Sequence, residues 1–311
     1  MVRLAPFALF RAALAPALLG LTTMAMAFDP PAEHPMPLLT WADLTHRPRP
    51  KPDATIAYGS DHLQKVDLWL PAGVGPFPVV LMVHGGCWQT SVADRSLMDW
   101  IAGDLRGHGI AVWNIDYRGV DRAGGGYPGT FLDAAAAADL LSTDAARYRL
   151  DLRRLIAVGH SAGGHLALWL AARGKLPSSS ALYRAHPLPI RHVVSLGGLP
   201  DLEATAASPD NGCGTDVVAR LTGSPSPARP DVFADTSVPR LLPIGAVQEL
   251  VNGREDRIIP FRFATDYVAK AKAAGDRASV HSVAATGHVE LITPDSAAWA
   301  QARRLIVAGL R

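Results

Sequence analysis

From residue 77 to its C-terminus the chain alternates short apolar runs with stretches of helical spacing. Phe77–Val83 is apolar throughout, and residues 110–115 are apolar except for Asn114. A strand with one face in water alternates polar and apolar residues, whereas an unbroken apolar run marks a strand covered on both faces. Residues 94–105 place Leu97, Trp100, Ile101 and Leu105 on one side of a helix, and residues 130–146 read as an alanine-rich helix. The alternation continues with a strand over 155–158, a helix over 165–172, strands over 190–196, 246–251 and 279–283, and helices over 260–274 and 294–310. Two more strands, 54–58 and 65–70, precede it. Strands and helices in strict succession with short connections predict an α/β fold, a doubly wound, mostly parallel sheet with helices on both faces. Residues 199–240 break the rhythm: Pro, Ser, Asp and Gly dominate, and a short helix near 216–221 is all that shows. A short cap insertion is expected there, within a single domain spanning 54–311.

Such a sheet gathers its ligand sites beyond the carboxyl ends of the strands. His84, Ser161, Asp256 and His288 each follow directly after a predicted strand. Ser161 is the centre of Gly159-His160-Ser161-Ala162-Gly163, a G-x-S-x-G between a strand and a helix. A serine on so tight a turn sits in strained backbone, so the residues two positions away on either side must lack bulk. The turn then lifts the hydroxyl clear of the sheet and sets it at a helix N-terminus. A Gly/Ser-rich turn without chemistry carries the same five residues. The three other loops in the same rim are what argue for a nucleophile.

The order Ser161, Asp256, His288 is that of α/β-hydrolases, and the local motifs make the resemblance specific. His84-Gly85-Gly86-Cys87-Trp88 resembles the His-Gly-Gly-x-Trp oxyanion loop of hormone-sensitive-lipase-like esterases and kynurenine-formamidase-like hydrolases. Residues 159–164 resemble their nucleophile elbow, 253–260 their Gly-x-x-Asp-x-x-Val-Pro acid loop, and Gly287-His288 their histidine loop. The likeness runs from about residue 55 to the C-terminus. Cys87 replaces the third glycine of the lipase-like form, which fits the formamidase-like and small bacterial esterase branch. Gly124-Gly125-Gly126-Tyr127-Pro128-Gly129 stands where the lipase-like branch has an acidic segment, and is similar to secreted esterases of the prolyl-oligopeptidase and feruloyl-esterase branches.

The resemblance implies an esterase acting through an acyl-enzyme on a small-to-medium carboxylic ester. The same residues would serve an amidase, such as an aryl-formamidase or a small peptidase. A non-catalytic member of the fold used for binding is the rival from another class. A serine hydroxyl needs a base to take its proton during attack, and His288 is the candidate. Asp256 would accept the other ring N–H. Glu255, its neighbour, and Asp201, after the preceding strand, are rivals for that place. Backbone N–H groups of Gly86, Cys87 and Ala162 are the expected oxyanion hole, where one donor is typically worth about 10²–10³ in rate. Trp88, which reads as a pocket wall or a core residue, and His160 are candidates for the substrate pocket. His84 reads as a brace of its own loop, His281 as a packed strand residue, and Asp133 as a cap or ion-pair partner.

Charge and cysteines narrow the setting. Without Arg3 and Arg11, the remaining basic residues equal the 28 acidic ones, so nothing suggests a nucleic-acid partner or an anionic membrane surface. Residues 1–27 have the make-up of a secretory signal: Arg3 and Arg11, an uncharged stretch over 12–27 interrupted by Pro16, and Ala25-Met26-Ala27 as the cleavage site. That stretch is shorter than the ~20 residues needed to span a bilayer. Export to a periplasm or the exterior follows, with the mature chain starting at Phe28 and no stable membrane anchor. Residues 28–53 hold seven prolines and read as an extended strap, pinned by Trp41, or as a loose tail. Cys87 and Cys213 allow one bridge, which the sequence alone does not bring together. No metal-ligand spacing is present, and no cofactor is expected. The sequence does not address oligomeric state.

Overall fold

The computed structural model describes residues 1–2 and 37–311. Eight strands form its sheet: β1 Ala54–Ala57, β2 Lys65–Trp69, β3 Phe77–Val83, β4 Ala111–Ile115, β5 Leu150–His160, β6 His192–Leu196, β7 Val247–Gly253 and β8 Arg277–Val283. Their spatial order is β1-β2-β4-β3-β5-β6-β7-β8. β1, β2 and β4 pair antiparallel, and every neighbouring pair from β4 to β8 is parallel. The helices are α1 Trp41–Thr45, α2 Asp99–Gly107, α3 Gly129–Asp144, α4 Ala162–Ala172, α5 Leu202–Ala207, α6 Thr215–Thr222, α7 Arg262–Ala273 and α8 Ala297–Gly309.

The unbroken apolar runs are explained by two layers of core. Val79, Leu81 and Val83 of β3 pack in one layer with Phe131 of α3, Leu166 of α4 and Tyr267 of α7. Val80 and Met82 pack in the other with Ile101 of α2 and Trp299 of α8. All five β3 side chains are fully buried, each contributing roughly 1.5–3 kcal/mol over an exposed site. Helix α4 starts three residues earlier than the spacing predicts, because Gly163 and Gly164, which read as turn, are already helical. Their place is dictated by close approach: a Cβ at 163 would lie 2.2 Å from the Val83 carbonyl.

The 199–240 segment lies packed on the first core layer. Val217, Val218 and Leu221 of α6 are buried in it. From α4, Trp169 Nε1 donates to the Asp235 carbonyl at 2.8 Å, and a ring nitrogen of His165 lies 2.9 Å from the Thr236 carbonyl. Cys213, in the same segment, forms a disulfide with Cys87 across a Cα–Cα distance of 5.3 Å. The strap, described from residue 37, has no regular structure except α1, whose single turn is closed by a capping box between Thr40 and Asp43. Leu44 anchors it, fully buried in the second layer. Met1 and Val2 apart, the signal-like residues 1–27 lie outside the described residues. Among the described residues no helix is long and apolar enough to cross a membrane.

Candidate active site

Ser161 joins β5 to α4 with φ 53° and ψ −124°. A non-glycine residue in such backbone costs about 1–3 kcal/mol, and neighbouring structure must hold it. Its N–H donates to the Leu196 carbonyl of β6 at 2.8 Å, and its own carbonyl accepts from Gly164 N–H at 2.8 Å. A Cβ at Gly159 would lie 2.0 Å from the Gly163 carbonyl, so bulk at either end of the turn is excluded.

Two further loops converge on the serine. Asp256 follows β7, and its Oδ1 accepts the N–H groups of Ile258 at 2.9 Å and Ile259 at 2.8 Å. Its Oδ2 lies 2.7 Å from His288 Nδ1, in the loop after β8. With the Nδ1 proton donated to Asp256, a neutral ring carries its lone pair on Nε2. Gly197, at φ 57°, gives the ring room: a Cβ there would sit 3.2 Å from His288 Nδ1. Ser161 and His288 line one cavity of about 280 Å³. No hydrogen bond joins Ser161 Oγ to His288 here, and such contacts commonly tighten only when substrate binds. The rival acids are engaged elsewhere. Glu255 accepts Thr286 N–H at 3.0 Å, while Asp201 caps α5 and pairs with Lys270 Nζ at 2.6 Å.

The loop after β3 approaches from the other side. Gly86, Cys87 and Trp88 have φ of 102°, 52° and 54°, a left-handed run that turns the chain sharply. Gly86 and Cys87 line the cavity. Among the described residues, the N–H groups of Gly86, Cys87 and Ala162 donate to no protein backbone acceptor. His84 braces this loop: Nε2 lies 3.0 Å from Asp116 Oδ1, Nδ1 lies 2.7 Å from the Gly85 carbonyl, and the ring stacks on Tyr117 at 4.3 Å. Arg95 holds the other Asp116 oxygen at 2.9 Å.

The two pocket candidates separate. His160 lines the cavity. Its Nε2 donates to the His288 carbonyl at 3.2 Å, and its ring lies 4.4 Å from that of His288. Burial, reinforced by His288, holds its pKa well below the usual histidine range. A neutral His160 therefore adds no charge beside His288. Trp88 does not line the cavity. Its side chain is fully buried beneath the loop, edge-on to His165 at 5.5 Å. A large apolar ring gains more in the core than at a cavity wall. His281 meets the Glu249 carboxylate at 2.6 Å, and Asp133 is an ion-pair residue, with Arg118 at 2.7 Å.

Sequence reasoning missed several contributors. Trp41, read only as a pin for the strap, stands edge-on to His288 at 6.2 Å and to His160 at 6.3 Å. Glu290 accepts Leu39 N–H through Oε1 at 2.5 Å and Gly287 N–H through Oε2 at 3.0 Å. The Gly197-Gly198 pair directly after β6 was the available signal for the floor beneath His288. Val92, Leu97 and Ile258 complete the apolar walls and carry no motif. Among the described residues no cluster of His, Cys, Asp and Glu has a metal-binding arrangement.

Comparison with known proteins adds three findings. The family model BD-FAE matches residues 66–270. A probable isoprenylcysteine alpha-carbonyl methylesterase of Arabidopsis thaliana is 32% identical over 114 residues, 36% of this chain and 23% of that protein. The chain thus spans about a quarter of the length of the curated relative it matches. Esterase B of Lactobacillus rhamnosis superposes with a TM-score of 0.68 at 18% identity, over 85% of this chain and 88% of the other. A thermophilic esterase of Thermogutta terrifontis gives 0.65 at 20% identity, over 83% and 93%. A bifunctional GH43-CE of Bacteroides eggerthii gives 0.66 at 22% identity, with 82% of this chain matched to 35% of the other. These structures share the α/β-hydrolase fold.

Proposed function

Because the chain belongs to the BD-FAE family and has the α/β-hydrolase fold, we propose that it is a carboxylic ester hydrolase working through a serine acyl-enzyme. The observation that carries this reading is the convergence of Ser161, on its strained turn, with a His288 ring whose Nδ1 lies 2.7 Å from buried Asp256, at one cavity. Ser161 Oγ attacks the ester carbonyl carbon while His288 Nε2 takes the hydroxyl proton. Asp256 holds the ring in the required tautomer and stabilises the imidazolium. The N–H groups of Gly86, Cys87 and Ala162 receive the tetrahedral oxyanion. Collapse breaks the carbonyl–alkoxy bond, and His288 returns its proton to the departing alcohol. Water then attacks the acyl-enzyme as His288 takes its proton, and His288 passes that proton to Ser161 Oγ as the acyl–oxygen bond breaks, which releases the acid and restores both residues. The test is covalent labelling by a fluorophosphonate together with turnover of short p-nitrophenyl esters. Label is expected on Ser161 alone and in stoichiometric amount; folded protein that takes no label and turns over no ester overturns the reading.

Export belongs to the same proposal. The signal-like residues 1–27 support it, and so does the Cys87–Cys213 disulfide, a bond that persists in oxidising compartments.

A further inference from the structure

The strap is built into the site, and its attachment is specific. One carboxylate, Glu290, joins the backbone of the strap at Leu39 to the backbone of the histidine loop at Gly287. Leu44 is sunk in the core and Arg47 pairs with Asp295 at 2.5 Å, so α1 is held on both sides of its indole. Trp41 is 39% exposed, a large apolar ring left half in water at the mouth of a cavity. Val92, Ala93, Leu97 and Ile258 line the same cavity. No Asp, Glu, Lys or Arg lines this space, and its remaining imidazole, His160, is kept neutral by burial. A charged substrate group placed against these apolar walls would lose water and find no charged side chain to pair with. At about 280 Å³ the cavity falls just below the usual range for ligand pockets, roughly 300–1,000 Å³.

Resting on the ester-hydrolase reading, we infer that Trp41 is a specificity-determining residue, the wall that restricts the site to uncharged esters whose buried acyl group is short or a single ring. The indole adds apolar area that ground state and transition state both feel, so its loss acts on KM more than on kcat. As a wall it also limits the length of chain the cavity holds, so its loss admits longer chains.

The experiment compares wild type, Trp41→Ala and Trp41→Phe on p-nitrophenyl acetate, butyrate, octanoate and hemisuccinate, with active sites counted by fluorophosphonate labelling. Wild type is expected to prefer butyrate over octanoate and over hemisuccinate by at least tenfold in kcat/KM. Trp41→Ala should reduce the butyrate-to-octanoate ratio about tenfold, chiefly by raising KM for butyrate, with kcat per labelled serine within about threefold. Trp41→Phe should keep most of the wild-type ratio. An unchanged ratio in Trp41→Ala, or a wild type that favours hemisuccinate, overturns the inference and leaves the hydrolase reading standing. A wild type that labels but turns over none of the four esters overturns the hydrolase reading, and this inference falls with it.

Discussion

His84 with Asp116 and His288 with Asp256 are two buried imidazole–carboxylate pairs of similar length, 3.0 and 2.7 Å, set in the same rim of the sheet. In the first, the ring meets the carboxylate through Nε2 while Nδ1 faces the Gly85 carbonyl, and Arg95 holds the second Asp116 oxygen. In the second, the ring meets the carboxylate through Nδ1, two backbone N–H groups hold the second Asp256 oxygen, and Nε2 is left over at a cavity. A histidine–carboxylate pair is therefore not in itself a base. The nitrogen that remains unengaged, and what lies in front of it, separates the brace from the proposed base.

Mutation of each pair tests that distinction most severely. His288→Ala should lower kcat by at least ~10⁴-fold, and Asp256→Asn by a similar factor, without loss of fold. His84→Ala and Asp116→Asn should act on stability, by about 3–5 kcal/mol for breaking a buried pair, with kcat per labelled serine changed by less than tenfold. Steady-state rates beside urea unfolding measure both effects. Equal collapse of kcat in folded His84→Ala would erase the difference between the pairs.

The disulfide sharpens the comparison, because through Cys87 it is a second tether on the loop that His84 braces. Replacing both cysteines by alanine removes a cross-link between residues 126 apart. A loss of about 2–4 kcal/mol in unfolding free energy is expected, with a smaller loss of kcat, since the His84 brace remains. If kcat falls as far as in His288→Ala, the bridge rather than His84 positions the loop.

The smallest effect concerns pH. Asp99, at the start of α2, has its pKa pushed up to about 7, first by burial and then by Asp67, which also pairs with Arg95 of the brace. Unfolded, Asp99 ionises near its ordinary value of about 4; folded, it keeps its proton until about pH 7. The unfolded state thus binds fewer protons between these values, and its contribution makes the protein less stable as pH rises from about 4 to about 7. Asp99→Asn should raise stability at pH 8 by about 1–2 kcal/mol and leave it unchanged at pH 3.5, as read by thermal unfolding at both pH values.

Much of this was legible in the chain. Strands covered on both faces write themselves as unbroken apolar runs, and the parallel sheet follows from their alternation with helices. The convergence of Ser161, Asp256 and His288 on one rim was legible because each stands at a fixed offset from a strand end. What stayed hidden depends on contacts between segments far apart in sequence. Trp41 lies 247 residues before His288 in a proline-rich stretch without periodicity, and Glu290 joins the two through backbone N–H groups that no side-chain pattern reveals. Cys87 and Cys213 meet only because the cap packs down onto the core. Trp88 was open between wall and core from its motif position, and burial of the indole decides for the core.

The Cys87–Cys213 bridge also has a topological result. It closes α2, β4, α3, β5, α4, β6 and α5, with Ser161 among them, into a covalent ring, while Asp256 and His288 sit on the tail beyond it. A proteolytic nick at an exposed position inside the ring, such as Arg184, separates no fragments while the bridge is oxidised. Cleavage at exposed Arg257, past the ring, parts Ser161 from His288 altogether. Resistance to dissection by proteases is thus unequally distributed along this chain, and it favours the half that carries the serine.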